Sequence, residues 1–302
     1  MSCLDALADI APDMTATVID NGSTDGTVEQ VRRRAIVNSR VNLIANSENR
    51  GFAGAVNQGV AATTGDPILL LNPDVQLRTP LTPLIDACRE HGLAAGQLAG
   101  ADGLVQAGFT IRRFPTASSL ALELLGINRL WPGNGVNRRY RYLDRDLNQP
   151  GPVEQPAGAF VMTRRDVWDS LGGFDEDFHP VWFEDVDYCK RATDAGYRIE
   201  YVPGVRAEHL GGHSVGKIPS GRKEVYWYDS LITYGAKHFR PWPFRGICLV
   251  AVVSVVPRTI AGMFREQSLN PVVRCVQIMR SAIKGLLSGV GPAQGSGRAE
   301  KI

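Results

Sequence analysis

The sequence predicts an α/β protein built on a mostly parallel sheet flanked by helices, with a helical C-terminal extension. Two observations carry this. Up to about residue 100, short aliphatic runs alternate with glycine-rich or amphipathic segments of helical length. From residue 220 onward the apolar spacing is helical, broken at "RPWPF". With 302 residues, 44% hydrophobic and 21% charged, the chain can bury a full core as one large domain or two small ones.

The elements follow in order. "TATVID" (15 to 20) reads as a strand, and "STDGTVEQVRRR" as a helix with Ser23 or Thr24 as its N-cap. "VNLIAN" (41 to 46) is a second strand, followed by the small-residue helix of "NRGFAGAVNQGVAATTG". "PILLLNPDV" is the third: four aliphatic residues in a row mark a strand buried on both faces, and Pro73 ends it. "PLIDACREHG" is an amphipathic helix closed by Gly92. Residues 100 to 157 read as loops, prolines and basic residues, an insertion or substrate-facing flap. Order resumes with "GAFVMTRRDVWDSLGGFDEDF" (158 to 178), a strand and a short helix ending at paired glycines. "FEDVDYCKRATDAG" (183 to 196) is a helix and "YRIEYVP" a strand. The expected organisation is a sheet domain over 1 to 215, a helical segment over 216 to 288, and a disordered Gly/Ala/Ser-rich tail over 289 to 302.

Charge is unevenly divided. From Arg240 to the end, nine Lys and Arg face two acids, about +7, so the remainder carries about −5 of the formal +2. Five scattered cysteines with no Cys-x-x-Cys pair suggest neither a disulfide framework nor a zinc site, and a reducing, cytoplasmic compartment fits. The N-terminus lacks the basic start and apolar stretch of a signal peptide. "GICLVAVVSVVP", from Gly246 to Pro257, is too short to span a bilayer, which takes about 20 apolar residues.

Acids fall where open α/β sheets place their ligand crevice: Asp20 at the first strand's end, Asp74 after the third, and Glu184 with Asp185 opening the later helix. Asp20, Asn21 and Ser23 either bond a nucleobase or ribose or do local capping work. Gly51, Gly54 and Gly59 miss the Gly-x-Gly-x-x-Gly spacing, which disfavours a dinucleotide oxidoreductase, and close helix–sheet packing accounts for them. Asp187 and Arg191 form a helical neighbour pair, readable as a surface salt bridge, and Cys189 is a core residue. A carboxylate at a helix start behind Trp182 and Phe183 suits a general base, because the helix dipole favours its ionised form. A lone histidine is more often structural than a ligand, but His209 or, less readily, His213, within the same site as Asp74, can complete a metal or diphosphate shell. Basic residues interleaved with an apolar helix argue against nucleic-acid binding.

Together, "VIDNGSTDGT", "NRGFAGAVNQG", "LLLNPDV", "GAFVMTRRDVWDSLGGFDEDF" and "FEDVDYCKRATDAGYRI", in this order, resemble family 2 glycosyltransferases of the GT-A fold, in particular the bacterial rhamnosyltransferase-like branch, over about residues 3 to 215. The resemblance implies that Asp20 faces the nucleotide base and that Asn21, Ser23, Asn49, Gly51, Asn57 and Asn72 line the nucleotide-sugar site. Asn72-Pro73-Asp74 stands where the family's Asp-x-Asp motif lies, with Asp74 and His209 as ligands of Mg²⁺ or Mn²⁺ on the donor diphosphate. Asp185 is implied as the base of an inverting displacement and Glu184 as its orienting neighbour. The implied donor is dTDP-L-rhamnose and the implied acceptor a polyprenyl-diphosphate-linked saccharide in cell-wall or surface polysaccharide assembly.

Two departures stand out. Asn72 replaces the first acid of the motif, and the chain begins at "SCLDAL", past the family's opening strand. Either the start has been placed too late, or the chain is a truncated, non-catalytic remnant or membrane-associated scaffold; both leave neighbouring strand edges exposed. Residues 240 to 287 place Arg245, Arg258 and Arg265 around an apolar stretch, which fits either a peripheral helix at the inner face of the plasma membrane or a core helix covering the sheet.

Overall fold

The computed structural model describes residues 2–211 and 218–289. His213 and the tail beyond Gly289 lie outside the described residues. Helix α1 (Ser2–Ile10) leads into strand β1 (Ala16–Asn21), helix α2 (Thr27–Val37) and strand β2 (Val41–Asn46). Helix α3 (Gly51–Ala61), strands β3 (Ile68–Leu71) and β4 (Val75–Leu77), and helix α4 (Thr82–His91) follow. Strands β5 (Gly92–Ala99) and β6 (Ile111–Arg112) precede three short helices, α5 (Ala117–Leu124), α6 (Ile127–Leu130) and α7 (Gly135–Tyr140). Next come β7 (Gly151–Pro152), β8 (Gln155–Pro156), β9 (Phe160–Thr163) and α8 (Arg165–Leu171). Then follow α9 (Glu184–Asp194), β10 (Arg198–His209) and three long helices, α10 (Ser220–His238), α11 (Pro241–Glu266) and α12 (Asn270–Ser288).

The chain divides into two compact units. The first comprises Met1–Phe114, Arg141–Glu176 and Glu184–His213; the second comprises Pro115–Tyr140, Asp177–Phe183 and the described part of Ser214–Ile302.

In the first unit the central sheet runs β3-β9-β5-β10-β4, with β7 also on β10. It is a mixed sheet: β5–β10 is parallel, whereas β3–β9, β5–β9, β10–β4 and β10–β7 are antiparallel. The expected parallel pattern is broken because β9 returns from the flap and inserts between β3 and β5. Strands β1 and β2 pair in parallel as a separate two-stranded sheet. Among the described strands, β1 therefore pairs on one side only, with β2, and β3 on one side only, with β9.

Alternating side chains build two cores. One face gathers Ile68, Leu70, Leu93, Ala95, Val161, Ile199 and Tyr201 under helical residues such as Val60, Trp168, Tyr188 and Cys189. The other gathers Val75, Leu77, Ala94, Leu98, Phe160, Met162 and Ala207 with Leu84 and Cys88 of α4. The strand of "ILLL" thus contributes to both faces, Leu69 and Leu71 packing opposite Ile68 and Leu70. A register shift between Val202 and Arg206 lets β10 change faces, so that Tyr201 and Ala207 belong to opposite cores. All five cysteines are free, and burial pushes the Cys88 thiol up to about 12, so it stays protonated and inert.

Three local expectations change. Helix α2 is entered through Gly26 in the left-handed region (φ 80°), not through Ser23 or Thr24, because Asp25 Oδ1 accepts from the N–H of Thr27 (3.3 Å) and its hydroxyl (2.5 Å). The flap holds β6–β8, and in the second unit α5 starts with a reciprocal Thr116–Ser119 cap. Asp187 is no surface residue: its side chain has 0% exposure and accepts from Arg191 Nε at 2.7 Å, while Arg191 also donates to the carbonyls of Leu171 (2.7 Å) and Gly173 (2.8 Å). The pair staples α9 to the paired-glycine end of α8.

Within the second unit, α12 packs on α10 and α11, and α5 packs on α11. Gly285 permits a close approach: a Cβ there would lie 2.8 Å from Cys248 Sγ and 2.9 Å from Phe244 Cζ. Arg274 forks onto Glu266 at 2.7 and 3.1 Å, closing the α11–α12 turn. At 26 residues, α11 extends well past the predicted apolar stretch and through Pro257; among the described residues it alone is long and apolar enough to cross a membrane. Phe244, Ile247, Cys248, Ala251 and Val255 are buried, whereas Leu249, Val253, Val256, Ile260 and Phe264 are exposed at helical spacing. On α12, Val273, Val276, Ile283 and Leu287 are exposed likewise.

Removing one partner of the Asp187–Arg191 pair leaves a charge buried or partly buried. Asp187→Ala is expected to lower unfolding stability by about 3–5 kcal/mol, read from the urea midpoint at unchanged m-value; a loss within 0.5 kcal/mol, the order of exposed pairs, would return the pair to the surface.

Candidate active site

The amino terminus of α9 presents the first cluster. Asp185 Oδ2 accepts the Gly158 N–H at 2.9 Å, and Oδ1 accepts the Val186 N–H at 2.8 Å. A Cβ at position 158 would lie 2.9 Å from Asp185 Cβ, so only glycine lets this backbone approach the carboxylate. Burial pushes the Asp185 carboxyl above the ordinary carboxylate range, opposed by the two N–H donors and by the Arg112 guanidinium. The result is a poorly hydrated carboxylate with its orientation fixed, as a general base requires. Glu184 beside it is buried, at 4% exposure. The preceding Trp182 and Phe183 both take left-handed backbone, φ 80° and 70°, a costly conformation for bulky residues.

The second cluster forms where β4 meets the end of β10. Val75 pairs with His209, and the Leu210 N–H donates to the Asp74 carbonyl at 3.1 Å. This register brings His209 Nε2 to 3.6 Å from Asp74 Oδ1, with side-chain exposures of 7% and 8%. His209 Nδ1 lies 2.9 Å from Gln106 Oε1, and the Phe109 ring stacks on the imidazole at 5.0 Å between centroids. Burial lowers the His209 pKa against the pull of Asp74, which favours the neutral, ligating ring. Among the described residues no group of three or more His, Cys, Asp or Glu side chains converges. A nitrogen and a carboxylate alone fit a divalent ion that takes its remaining ligands from diphosphate oxygens and water, the habit of Mg²⁺ and Mn²⁺ sites. Asn72 is held by its backbone, its N–H donating to the Ala159 carbonyl at 3.0 Å.

The remaining predicted residues gather at the ends of β1 and β2. Asp20, 4% exposed, accepts the Ser23 N–H at 2.9 Å, closing the turn on itself. Asn21 donates to Asn49 Oδ1 (2.8 Å) and the Gly51 carbonyl (3.0 Å) and accepts the Arg50 N–H (3.0 Å). It ties the two loops together. Asn57 points elsewhere: its amide exchanges hydrogen bonds with the Phe174 backbone, both at 2.9 Å, and donates to Glu176. Gly59 packs on β1, where a Cβ would sit 3.0 Å from Ile19 Cγ1.

Sequence reasoning passed over Gly158, Arg112, Gln106 and Phe109. Gly158 carried a legible signal, a glycine directly before a buried apolar run. The other three sit in "QAGFTIRR", inside a stretch read as flap.

The family model described as Glycosyl transferase family 2 matches residues 2–172. A protein of Mycobacterium tuberculosis named N-acetylglucosaminyl-diphospho-decaprenol L-rhamnosyltransferase is 28% identical over 249 residues, 76% of this chain and 77% of that one. Rhamnosyltransferase WbbL of Escherichia coli is 30% identical over 106 residues, 35% of this chain and 36% of its own. Among solved structures, the mannosyltransferase PcManGT from Pyrobaculum calidifontis, in complex with GDP-Man and Mn²⁺, superposes with a TM-score of 0.51 at 16% identity, covering 94% of this chain and 81% of that one. The chain is a glycosyltransferase of GT-A fold and belongs to glycosyl transferase family 2, on the branch of its rhamnosyltransferase-named relatives.

Proposed function

We propose that this glycosyltransferase moves L-rhamnose from dTDP-L-rhamnose to a polyprenyl-diphosphate-linked saccharide, with inversion, at the inner face of the plasma membrane. The observation that carries the chemistry is the half-buried Asp185 carboxylate, held by the Gly158 and Val186 amides. The name of the mycobacterial relative supports the sugar and the lipid-linked acceptor.

In this reading Asp185 takes the proton of the acceptor hydroxyl as that oxygen attacks the anomeric carbon. The bond from that carbon to the diphosphate breaks on the opposite face, and its electron pair leaves with the nucleoside diphosphate. A single displacement inverts the centre. Glu184 flanks the base; Asp20, with the loops joined by Asn21, Asn49 and Gly51, receives the nucleoside, Ser23 borders that side, and Asn72 borders the diphosphate, whereas Asn57 is engaged with the Phe174 backbone. Asp74 and His209 would hold a divalent cation, which when bound neutralises the charge developing on the leaving diphosphate. A second reading, the fold retained without turnover, draws on the one-sided pairing of β1 and β3. Turnover of any nucleotide sugar disposes of it.

The exposed apolar residues of α11 and α12 support peripheral membrane contact, flanked as they are by exposed Arg240, Arg265, Arg280 and Lys284. Since α11 buries its other side within the second unit, the helix suits the interface plane rather than a crossing.

Asp185→Asn is expected to lower turnover about 10²–10⁴-fold with donor affinity unchanged, measured with purified protein over a panel of nucleotide sugars; lost donor affinity with residual turnover would remove the base assignment. The base works deprotonated and its pKa is raised, so activity should hold at higher pH and fall as pH drops through a value above the ordinary carboxylate range. A kcat/KM profile with its acid limb at the ordinary aspartate position would contradict this. Asp74→Ala should abolish Mn²⁺-dependent binding of dTDP by calorimetry, and an unchanged metal requirement would sink that role. Flotation with anionic phosphatidylglycerol vesicles should capture the protein, and Phe264→Asp should weaken capture about tenfold, as expected for ~1.5 kcal/mol of lost apolar burial. Equal capture of the variant would dismiss the membrane face.

A further inference from the structure

The Gln106 side chain reaches His209 twice. Its Nε2 donates to the His209 carbonyl at 2.9 Å, and its Oε1 lies 2.9 Å from His209 Nδ1. The first contact fixes the amide orientation, because a carbonyl only accepts. The second then fixes the ring, because Oε1 also only accepts: Nδ1 must carry the proton. In the neutral imidazole Nε2 is left as a bare lone pair, and it is this nitrogen that stands 3.6 Å from Asp74 Oδ1.

The loop that presents Gln106 is itself well anchored. The Gln106 N–H donates to the Leu98 carbonyl at 2.9 Å, and its carbonyl accepts the N–H groups of Phe109 (3.0 Å) and Thr110 (2.9 Å). The Thr110 hydroxyl adds a bond to the Leu98 carbonyl at 3.1 Å. The same turn places Phe109 flat on the imidazole, with 5° between the planes. Proton, rotation and tilt of the ring are all set from this one turn.

We propose that Gln106 is a positioning residue: it locks His209 in the Nδ1–H tautomer and aims Nε2, together with the Asp74 carboxylate, at the divalent cation of the donor diphosphate. This rests on the reading of Asp74 and His209 as the metal pair. Outer partners of this kind orient ligating histidines in metal sites and typically govern affinity by about 10–100-fold. Glutamine does so here without adding a charge.

The test uses the full chain and two readouts. Nitrogen-15 chemical shifts of ¹⁵N-histidine-labelled protein report the tautomer, the His209 signals being assigned by their loss in His209→Phe. Paramagnetic resonance of free Mn²⁺ in the presence of dTDP reports cation affinity. In the unaltered protein the Nδ1–H form is expected. Gln106→Leu should release the ring into a mixture of tautomers and weaken Mn²⁺ binding about tenfold. Gln106→Glu gives up the donor to the His209 carbonyl but keeps an acceptor opposite Nδ1, and should restore the Nδ1–H tautomer, which a merely structural residue would not do. Mn²⁺ bound equally well by the unaltered and Leu proteins, or an unchanged tautomer in the folded Leu variant, overturns the role of Gln106 alone. An unaltered protein that binds dTDP without Mn²⁺ overturns the metal reading itself.

Discussion

The bulge in β10 is the constraint on which the geometry of the Asp74–His209 pair depends. Upstream of it, Ile199 and Tyr201 face one core; downstream, Val205 and Ala207 face the other. A regular strand would keep every second residue on one face throughout. The change of face carries on along the strand to His209, which lands opposite Val75 in the β4 register, one residue from Asp74. The strand also pairs with β5, β4 and β7, so the inserted irregularity is held on several sides. A one-residue slip would remove the imidazole from the carboxylate and open two cores together.

Two acids of α9 show how environment separates roles. Asp187, fully enclosed, is answered by Arg191 and acts as a staple between helices. Asp185, two residues earlier, is answered by backbone amides, with Arg112 farther off contributing charge. The amides orient the carboxylate and lower its basicity, but burial outweighs them and keeps its pKa above the ordinary range. Gly158 is what makes this possible, since any side chain there would collide with the carboxylate it is meant to hold.

Much of this was legible in the residues. The strands of "TATVID", "VNLIAN" and "ILLL", the helix of "FEDVDYCKRATDAG" and the glycine stop at Gly92 follow from periodicity and turn chemistry, which are local. What escaped was decided by distant partners. Asp187 looked like a surface residue because helix spacing shows its neighbour four places on but not the Leu171 and Gly173 carbonyls that enclose that neighbour. Gln106 and Phe109 were hidden in a stretch without periodicity, since their meaning comes from a histidine 103 positions away for Gln106. The antiparallel direction of β9 stayed hidden for a similar reason: direction is a property of the route through the flap, and no short window records it.

The separate pairing of β1 with β2 has a mechanical consequence. Among the described residues no ladder of backbone hydrogen bonds joins this pair to the central sheet, and two strands alone are marginal in water. The loop of Asp20 and Asn21 is therefore secured through its neighbours: α3, which packs Gly59 against Ile19, and the ion pair of Arg34 with Asp5 of α1. Asp74 and His209, by contrast, sit on strands of the central sheet. The Asp20–Asn21 loop and the Asp74–His209 pair thus belong to segments of different rigidity, and local opening costs less at the first than at the second.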